Sequence, residues 1–423
     1  MDEETRARIV QAVDSRADEV VAFLQEIIRI ESTTGNEGPI QRHLGNRLRR
    51  MGLQVDEFEP DPQRLRSYPG FVEPDLPFSG RPNVVGVLPG SGGGRSLLLN
   101  GHVDTVPLDT QGGWTDGPLS GAVHDGQVWG RGASDMKAGV AAMMMAVDVL
   151  TGLGLTRAGD LILEYVVDEE RTGLGTLACV DRGYRADAGI CCETSDMKVM
   201  PACIGRLWFT VHVQGKPAGI SASWQGVNAI DKALKIVEAV RDLQQIRLAD
   251  LHHPLYPDNR GALPCAVNMF QSGTFPSILP DRATLRGSLG LMPYEDPKQV
   301  EMQLKRQIES AVLEDTWLRS TPPVITTEGG YVAAGAEIPH DHPLVVTMQA
   351  EYLAATGEEA TLAGRMGAAD TRFLIRSGKT PTVIFGPGDT AQMHAMDEHV
   401  PVANLIAAVK VIALTIQTWC GTR

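Results

Sequence analysis

The sequence predicts an α/β domain that is interrupted by a smaller α+β domain. The chain has 423 residues, which exceeds the length at which a single hydrophobic core usually stops growing. Strand and helix patterns alternate before residue 200 and again beyond residue 320, whereas the stretch between them reads strand, helix, two strands, helix. We therefore expect an α/β domain formed by residues 1–200 and 321–423, with an inserted α+β domain over residues 201–320.

The first part of the chain is expected to open with a long helix and then to alternate between strands and helices. Ile9, Val13 and Val20 recur at helical spacing. The loop PGSGGGR separates two β-type runs and lacks the GK[ST] ending of a phosphate-binding loop, so we expect a hairpin turn there. The predicted elements are a helix over 5–30, strands over 83–88 and 96–100, a helix from an N-cap at Ser134 or Asp135 to about Leu150, and strands over 161–168 and 187–193.

The same periodic patterns of apolar residues predict the elements of the inserted domain and of the last part of the chain. Residues 207–215 (LWFTVHVQG) alternate between apolar and polar side chains, as a half-exposed strand does. The remaining predicted elements are an amphipathic helix over 228–243, two strands within 269–290, helices over 296–315 and 342–357, a strand over 380–386 and a closing helix over 403–419.

The composition is typical of a soluble globular protein. The net charge is −14 without a basic cluster, which argues against nucleic acid or an anionic membrane as the partner. The acidic, amphipathic N-terminus is unlike a signal peptide, and the apolar segments 139–150 and 403–416 are shorter than the roughly 20 residues of a membrane span. The six cysteines form no CxxC pair, so we expect reduced thiols and a cytoplasmic protein.

The segment LLNGHVDTVP (98–107) is the first candidate for chemistry. His102 and Asp104 stand two positions apart at the end of an apolar strand, so both side chains would point to the same side. An imidazole beside a carboxylate indicates a metal ligand and the partner that orients it. The alternative from this segment alone is a histidine that merely caps a turn.

Further side chains that can bind a metal follow predicted strands or open a helix. Taken singly, an aspartate before a helix is usually a cap, and paired glutamates are usually a solvated turn. In an α/β sheet, however, ligands bind beyond the carboxyl ends of the strands, where several of these groups would meet. Imidazoles with carboxylates suit one or two divalent ions such as zinc, cobalt or manganese. The residues are His102, Asp135, Glu169, Glu170, Glu193 and His394.

These motifs resemble the M20 family of metallopeptidases and deacylases, which includes aminoacylases, acetylornithine deacetylase, succinyl-diaminopimelate desuccinylase and glutamate carboxypeptidase. The matching motifs are GHVDTVP, GRGASDMKAG, VVDEERTG, the glutamate of CCET, GVNAI, and FGPG followed by a histidine and DEHV. The resemblance covers nearly the whole chain. It implies a metal-dependent, exopeptidase-like catalytic domain, an inserted lid domain that forms a homodimer or larger homo-oligomer, and hydrolysis of a C–N bond.

The resemblance also implies a role for each candidate residue. Asp135 would bridge two metal ions, Glu169 would be the general base, and Asp104 would orient His102. Arg372 matches an arginine that contacts substrate in many members, which implies a substrate carrying a carboxylate. The implied ligands are His102, Asp135 and Glu193 for one ion, and Asp135, Glu170 and His394 for the other.

Two positions depart from the family pattern. Gly219 stands where many members have a histidine that stabilises the oxyanion across a dimer, and Gly290 stands where members often have an arginine that contacts a substrate carboxylate. Another donor, such as His212, Asn268 or a main-chain N–H of the lid domain, could replace the histidine. We therefore expect an amidohydrolase or deacylase acting on an N-acyl amino acid or a similar amide. The alternatives are an aminohydrolase acting on an aromatic amine, of the nitroanthranilate type, and a catalytically silent metal- or ligand-binding protein.

Overall fold

A computed structural model describes residues 1–108, 112–327 and 331–421, which form two compact units. Unit 1 comprises Met1–Ala202, Glu337–Arg365 and Asp370–Arg423. Unit 2 comprises Cys203–Ala336 and Met366–Ala369. Unit 2 continues past residue 320 because two short strands that follow pair with its central strand.

Helices and strands are numbered in chain order. The helices are α1 Glu3–Ser15, α2 Ala17–Arg29, α3 Gly38–Arg50, α4 Pro62–Leu65, α5 Lys137–Gly152, α6 Leu174–Arg182, α7 Ala229–Asp250, α8 Pro297–Leu313, α9 Thr316–Ser320, α10 Pro343–Thr356, α11 Thr371–Arg376 and α12 Val402–Cys420. The strands are β1 Gln54–Phe58, β2 Asn83–Leu88, β3 Leu97–His102, β4 Ala122–His124, β5 Gln127–Trp129, β6 Leu161–Val166, β7 Ala188–Cys191, β8 Val199–Cys203, β9 Gly205–Gln214, β10 Cys265–Ser272, β11 Arg282–Leu291, β12 Val324–Thr326, β13 Val332–Ala333, β14 Ala336–Glu337, β15 Leu362–Arg365, β16 Thr382–Ile384 and β17 His399–Pro401.

The large sheet of unit 1 is mixed. Its order is β1-β2-β6-β3-β7-β16-β8-β14, and β15 also pairs with β8. The central strands β6, β3, β7 and β16 run parallel to one another. Their carboxyl ends therefore lie along one edge of the sheet, the place where an α/β sheet binds its ligands.

Helices cover both faces of this sheet because its central strands are apolar on both sides. Leu97 and Leu99 of β3 pack into the large core that also contains the apolar residues of α2, α5 and α12. Leu98, between them, faces a smaller core with residues of α6 and α11. This double burial gives β3 its nearly continuous apolar run and fixes the position of the residue that ends it, His102.

Three local predictions for unit 1 are wrong. The loop between β2 and β3 is not a hairpin turn, because β6 lies between the two strands and pairs with both. The opening helix is divided into α1 and α2 at Arg16, which leaves helical geometry and binds Glu19 and Asp148. The N-cap of α5 is Met136, since the Ser134 hydroxyl instead donates to the main-chain oxygen of Asp389.

Helix α12 is longer than its predicted apolar segment. It has 19 residues and is long and apolar enough to cross a membrane by length and composition, so the expectation that it is too short is wrong. However, 67% of its most apolar window is buried inside unit 1, where it packs against α5 and α10. That burial is typical of a core helix.

Unit 2 is an antiparallel sheet with helices on one face. The sheet order is β10-β11-β9-β12, and β13 also pairs with β9. Leu207, Phe209 and Val211 of β9 face the core that contains the apolar residues of α7 and α8. The alternate residues of β9 are exposed or half-buried, as the sequence pattern predicts for a strand with one covered face.

Candidate metal centre

The carboxyl ends of the parallel strands in unit 1 bring together the predicted ligand side chains. His102 is the last residue of β3, Glu170 follows β6, and Glu193 follows β7. Asp135 directly precedes Met136, the N-cap of α5. His394 lies in the loop after β16 and adopts a positive φ of 60°.

His102 lies at the centre of the first group of ligands. Its side chain is buried, and its Nε2 atom lies 3.1 Å from Glu193 Oε2 and 3.2 Å from Asp135 Oδ1. Its Nδ1 atom lies 2.9 Å from the main-chain oxygen of Asp104. Because a carbonyl oxygen can only accept, this contact holds a proton on Nδ1 and directs Nε2 towards the carboxylates.

The second group shares Asp135 with the first. His394 Nε2 lies 3.0 Å from Glu170 Oε2 and 3.5 Å from Asp135 Oδ2. The two carboxylate oxygens of Asp135 thus face different histidines, which is the arrangement of a bridging ligand. Within each group, the potential ligand atoms all lie within 4.8 Å of one another; the groups are His102, Asp135 and Glu193, and Asp135, Glu170 and His394.

The donor set fits divalent metal ions. Each group offers one imidazole nitrogen and two carboxylates, a combination that suits zinc, manganese or cobalt rather than a thiolate site. Several carboxylates held this close would repel one another strongly unless cations lay among them. The chemistry of the donors therefore matches a centre for one or two divalent ions.

The pKa values of the candidate ligands in the absence of metal reflect the close approach of these carboxylates and imidazoles. Burial alone would lower the pKa of His102, but hydrogen bonds to Asp135 and Glu193 outweigh it and hold that pKa well above the usual value. Hydrogen bonds to Asp135 and Glu170 raise the pKa of His394 to about 10. Burial, with the nearby charge of Asp135, raises the pKa of Glu170 to about 7. Protons thus compete with metal for this site.

Glu169 is the candidate base, and its main chain is anchored next to the candidate metal ligands. Its amide N–H and that of Glu170 both donate to the Asp104 carboxylate, at 3.1 and 3.2 Å. Among the described residues, the Glu169 carboxylate itself has no hydrogen-bond donor. Burial, with the neighbouring carboxylates, raises the pKa of Glu169 well above its usual value, which suits a group that must take up a proton.

The contact between Asp104 and His102 differs from the prediction in one atom. The imidazole Nδ1 is close to the main-chain oxygen of Asp104 but 3.7 Å from its carboxylate. The carboxylate instead accepts hydrogen bonds from the Thr34 hydroxyl and from the two amides of the β6 turn. Asp104 thus orients His102 through its backbone and the turn after β6 through its side chain.

Two buried residues that sequence analysis missed hold the candidate ligands in place. Arg365, at the end of β15, donates to Glu193 Oε1 at 3.0 Å. Glu398 accepts from the main-chain amides of Gly132, Ser134 and Asp135 at 2.8–3.0 Å and so fixes the loop that presents Asp135. Glu398 belongs to the DEHV motif, so its position was visible in the sequence, whereas no local pattern identified Arg365.

The turn after β6 has its own buried support. Arg81 donates to both oxygens of Glu37, at 2.6 and 2.7 Å, and to Asp168 Oδ1 at 2.7 Å. Asp168, which precedes Glu169, has a φ of 69° and also accepts from the Thr172 hydroxyl. This network holds the strained turn on which the candidate base and a ligand stand.

The predicted substrate residues lie in both units. Arg372, in unit 1, is buried and donates to the main-chain oxygen of Thr172 at 3.2 Å. His212 and Asn268 stand on β9 and β10 of unit 2, and His212 Nδ1 lies 3.1 Å from the Thr284 hydroxyl. Their contacts with substrate remain predictions.

The two glycines that depart from the family pattern, Gly219 and Gly290, differ in how much space surrounds them in unit 2. A Cβ atom added to Gly219 would meet nothing within 4 Å, so a side chain there has room. A Cβ atom added to Gly290 would lie 2.1 Å from the main-chain oxygen of Ala262. The backbone around Gly290 therefore excludes the arginine that many members carry there.

Known proteins with similar sequences and structures span most of the chain. An N-formyl-4-amino-5-aminomethyl-2-methylpyrimidine deformylase from Halalkalibacterium halodurans is 26% identical over 97% of this chain and 96% of its own length. A succinyl-diaminopimelate desuccinylase from Xanthomonas euvesicatoria is 27% identical over 74% of this chain and 81% of its own. A crystal structure of a tripeptidase from Staphylococcus aureus matches the fold with a TM-score of 0.74 at 22% identity, covering 96% of this chain and 98% of that one.

The fold and the site define a metal-dependent hydrolase that cleaves C–N bonds. The match to the model of peptidase family M20/M25/M40 extends over residues 98–418. The chain belongs to this family, as its sequence motifs predict, and it is an amidohydrolase within it.

Proposed function

We propose that this protein removes a small acyl group from the nitrogen of a small-molecule amide. The observation that carries the proposal is the pair of candidate ligand groups that share Asp135, with the main chain of Glu169 anchored beside them. The named activities of the relatives, deformylation and desuccinylation, support an N-acyl substrate. The match to the pyrimidine deformylase over almost the full length favours an N-formyl aminomethyl heterocycle as the first substrate to test. No comparison gives better support to the aromatic amine aminohydrolase.

The proposed centre holds two ions, and zinc, manganese and cobalt are the candidates. His102 and Glu193 would hold the first ion, Glu170 and His394 would hold the second, and Asp135 would serve both. A bound divalent ion supplies Lewis acidity, which lowers the pKa of a water molecule and polarises a carbonyl group.

In the proposed reaction, Glu169 moves the proton. Its carboxylate accepts a proton from water, the water oxygen attacks the acyl carbon, and the C–N bond breaks. Glu169 then delivers the proton to the leaving nitrogen, so that the products are a carboxylic acid and an amine. Asp104 and Arg81 serve as positioning residues, since they hold the turn that carries Glu169.

The donor that stabilises the oxyanion must differ from that of many family members, because Gly219 has no side chain. His212 and Asn268 are the proposed replacements, together with main-chain N–H groups of unit 2. Losing such a donor typically costs about 10²–10³ in rate, so an efficient deacylase needs a substitute. Arg372 remains the proposed contact for a substrate carboxylate.

The proposed function is tested by a substrate screen with matched variants. The metal-loaded protein should release amine from N-formyl, N-acetyl or N-succinyl compounds and should leave amino-substituted aromatic acids unchanged. Mass spectrometry measures the products in both cases. Glu169→Gln should keep its metal while kcat falls by about 10²–10⁴. The matched variant Glu170→Gln should instead weaken metal binding. Turnover of the aromatic amine alone would contradict the proposed deacylase activity. A Glu170→Gln variant that keeps its metal but is inactive would show that Glu170 is the base and Glu169 the ligand.

We also propose a homodimer formed through unit 2. Strand β10 is an edge strand in the described sheet, and an exposed edge invites pairing with a second copy. Large apolar side chains are exposed near it, including Phe270, Phe275 and Ile278. Sedimentation should show a dimer at micromolar concentration, and Ile278→Glu should shift it towards the monomer. A monomeric wild type would contradict the proposal.

A cytoplasmic location is proposed on the basis of the cysteines. All six are buried free thiols, which fits a reducing compartment. Fractionation of cells that express the tagged protein would test this, and recovery from an extracytoplasmic fraction would contradict it.

A further inference from the structure

Unit 2 contains a pocket on the sheet face opposite its helices. Its volume is about 480 Å³, which lies within the range of small-molecule sites. Five side chains from three neighbouring strands give the pocket its chemical character: Trp208, Thr210, Asn268, Arg286 and Ser288.

The pairing of the strands explains why these side chains converge. Ser288 on β11 lies opposite Trp208 on β9, and Arg286 lies opposite Thr210. Positions two apart on a strand point to the same face, so all four side chains project on the same side. Trp208 and Arg286 are diagonal neighbours, close enough for both to touch one small ligand.

A β-bulge adds the fifth group. The register between β10 and β11 shifts between Val267 and Met269, which leaves Asn268 as the extra residue. A bulge of this kind re-aims a side chain and often occurs beside a binding site. The side-chain amide of Asn268 thereby joins the lining of the pocket.

Trp208 offers a flat apolar surface at this pocket. Its side chain is 53% exposed although the indole is the largest apolar group in the sheet, and one ring neighbour, Tyr331, lies 5.4 Å away at a tilt of 44°. An exposed indole is suited to stacking with a planar ring.

Arg286 offers a cation that has no carboxylate partner within residues 1–108, 112–327 and 331–421. Among the described residues it makes no hydrogen bond and no ion pair, whereas Arg247 of the same unit is paired with Glu295 and Arg282 with Asp281. A guanidinium presents a fork of N–H donors that matches a carboxylate. The hydroxyls of Thr210 and Ser288 provide further donors on the same face.

We propose that unit 2 carries a binding site for a planar aromatic or heteroaromatic carboxylate. The ring stacks on Trp208, the carboxylate pairs with Arg286, and Asn268 hydrogen-bonds to a polar ring substituent. This site involves residues of unit 2 only. It shares Asn268 with the proposed oxyanion donors, so its test uses Trp208 and Arg286, which have no part in the proposed deacylase activity.

The test uses the metal-free protein, so that the carboxylate of the probe cannot bind to metal ions at the candidate metal centre. Benzoate is titrated by calorimetry or by ligand-observed NMR, with cyclohexanecarboxylate, which lacks a planar ring, and inorganic phosphate as comparison ligands. Trp208→Ala should weaken benzoate binding about 2- to 10-fold and leave cyclohexanecarboxylate nearly unchanged. Arg286→Gln should weaken both carboxylates about tenfold or more.

Arg282→Gln is the matched control, because Arg282 lies on the same strand and on the same face, four residues from Arg286, and does not line the pocket. It should leave benzoate binding unchanged. Equal thermal unfolding temperatures would show that the variants are folded. The proposal would be overturned if benzoate does not bind at millimolar concentrations, if it binds all three variants equally, or if phosphate binds as well as benzoate.

Discussion

Glu164 should make the stability of unit 1 depend on pH. This glutamate lies in the middle of β6, fully buried, with one carboxylate oxygen 3.0 Å from the Asn100 amide and the other without a partner among the described residues. Burial raises its pKa from 4.5 to about 8, against the opposing effect of the Asn100 hydrogen bond. Between these two pH values the folded protein holds a proton that the unfolded chain has lost.

The sign and size of the effect follow from that difference. Because the folded state binds the extra proton, the free energy of unfolding falls as the pH rises, by up to about 1.4 kcal/mol per pH unit. From pH 5 to pH 7 the loss from this group is about 2–3 kcal/mol. Glu164→Gln cannot ionise, so its stability should depend less on pH by that amount, whatever its absolute stability.

The assay is urea unfolding of the metal-free protein at pH 5, 6, 7 and 8, followed by circular dichroism. The comparison of interest is the difference in slope against pH between wild type and Glu164→Gln. Glu309→Gln, on an exposed position of α8, removes a carboxyl group from the surface and serves as the control. Parallel pH profiles for wild type and Glu164→Gln would refute the reasoning, because they would mean that Glu164 is ionised in the folded protein.

Three further predictions concern the metal centre and the inserted unit. His102→Ala and His394→Ala should each lose bound metal and activity while circular dichroism stays unchanged; full metal occupancy in both would rule out the proposed ligands. Hydrogen bonds to the nearby carboxylates raise the pKa of His394 to about 10, so a metal ion that binds at pH 7 must displace the proton of His394. The apparent affinity for metal should therefore fall about tenfold per pH unit and per displaced proton as the pH falls. Calorimetry in buffers of different ionisation enthalpy measures that proton release, and its absence would contradict the prediction. Gly219→His should fold normally, since the site has room, and should change kcat/KM for an N-acyl substrate only a few-fold; a large gain would show that the wild type lacks a substitute donor.

Sequence patterns predicted which side chains meet at the candidate metal centre better than they predicted the strand order. The candidate ligands stand out in the sequence because each lies in a short motif, most of them at the end of a strand or the start of a helix, where local signals are strong. The hairpin between β2 and β3 was predicted wrongly because β6, which separates them, lies more than sixty positions further along the chain and leaves no local trace. No local pattern predicts the contact of Arg365 with Glu193 for the same reason, since the two residues are 172 positions apart.

The prediction for Asp104 shows a finer limit. The spacing of His102 and Asp104 indicated that the two groups meet, but a carboxylate and a main-chain oxygen of the same residue are equally available to an imidazole two positions away. The carboxylate is engaged elsewhere because the turn after β6 brings two amide donors to it. Such competition depends on tertiary structure, which the sequence of one segment does not contain.

The hydrogen bonds between Glu398 and the loop that carries Asp135 have a consequence for the synthesis of the protein. The two residues are 263 positions apart, and unit 2 is translated between them. A nascent chain that has emerged only as far as unit 2 therefore lacks both Glu398 and His394, and cannot yet capture metal ions with the full ligand set. Loading of the proposed centre must wait until residues 394–398 have been made, and ribosome-bound chains stopped before residue 394 should bind metal more weakly than released ones.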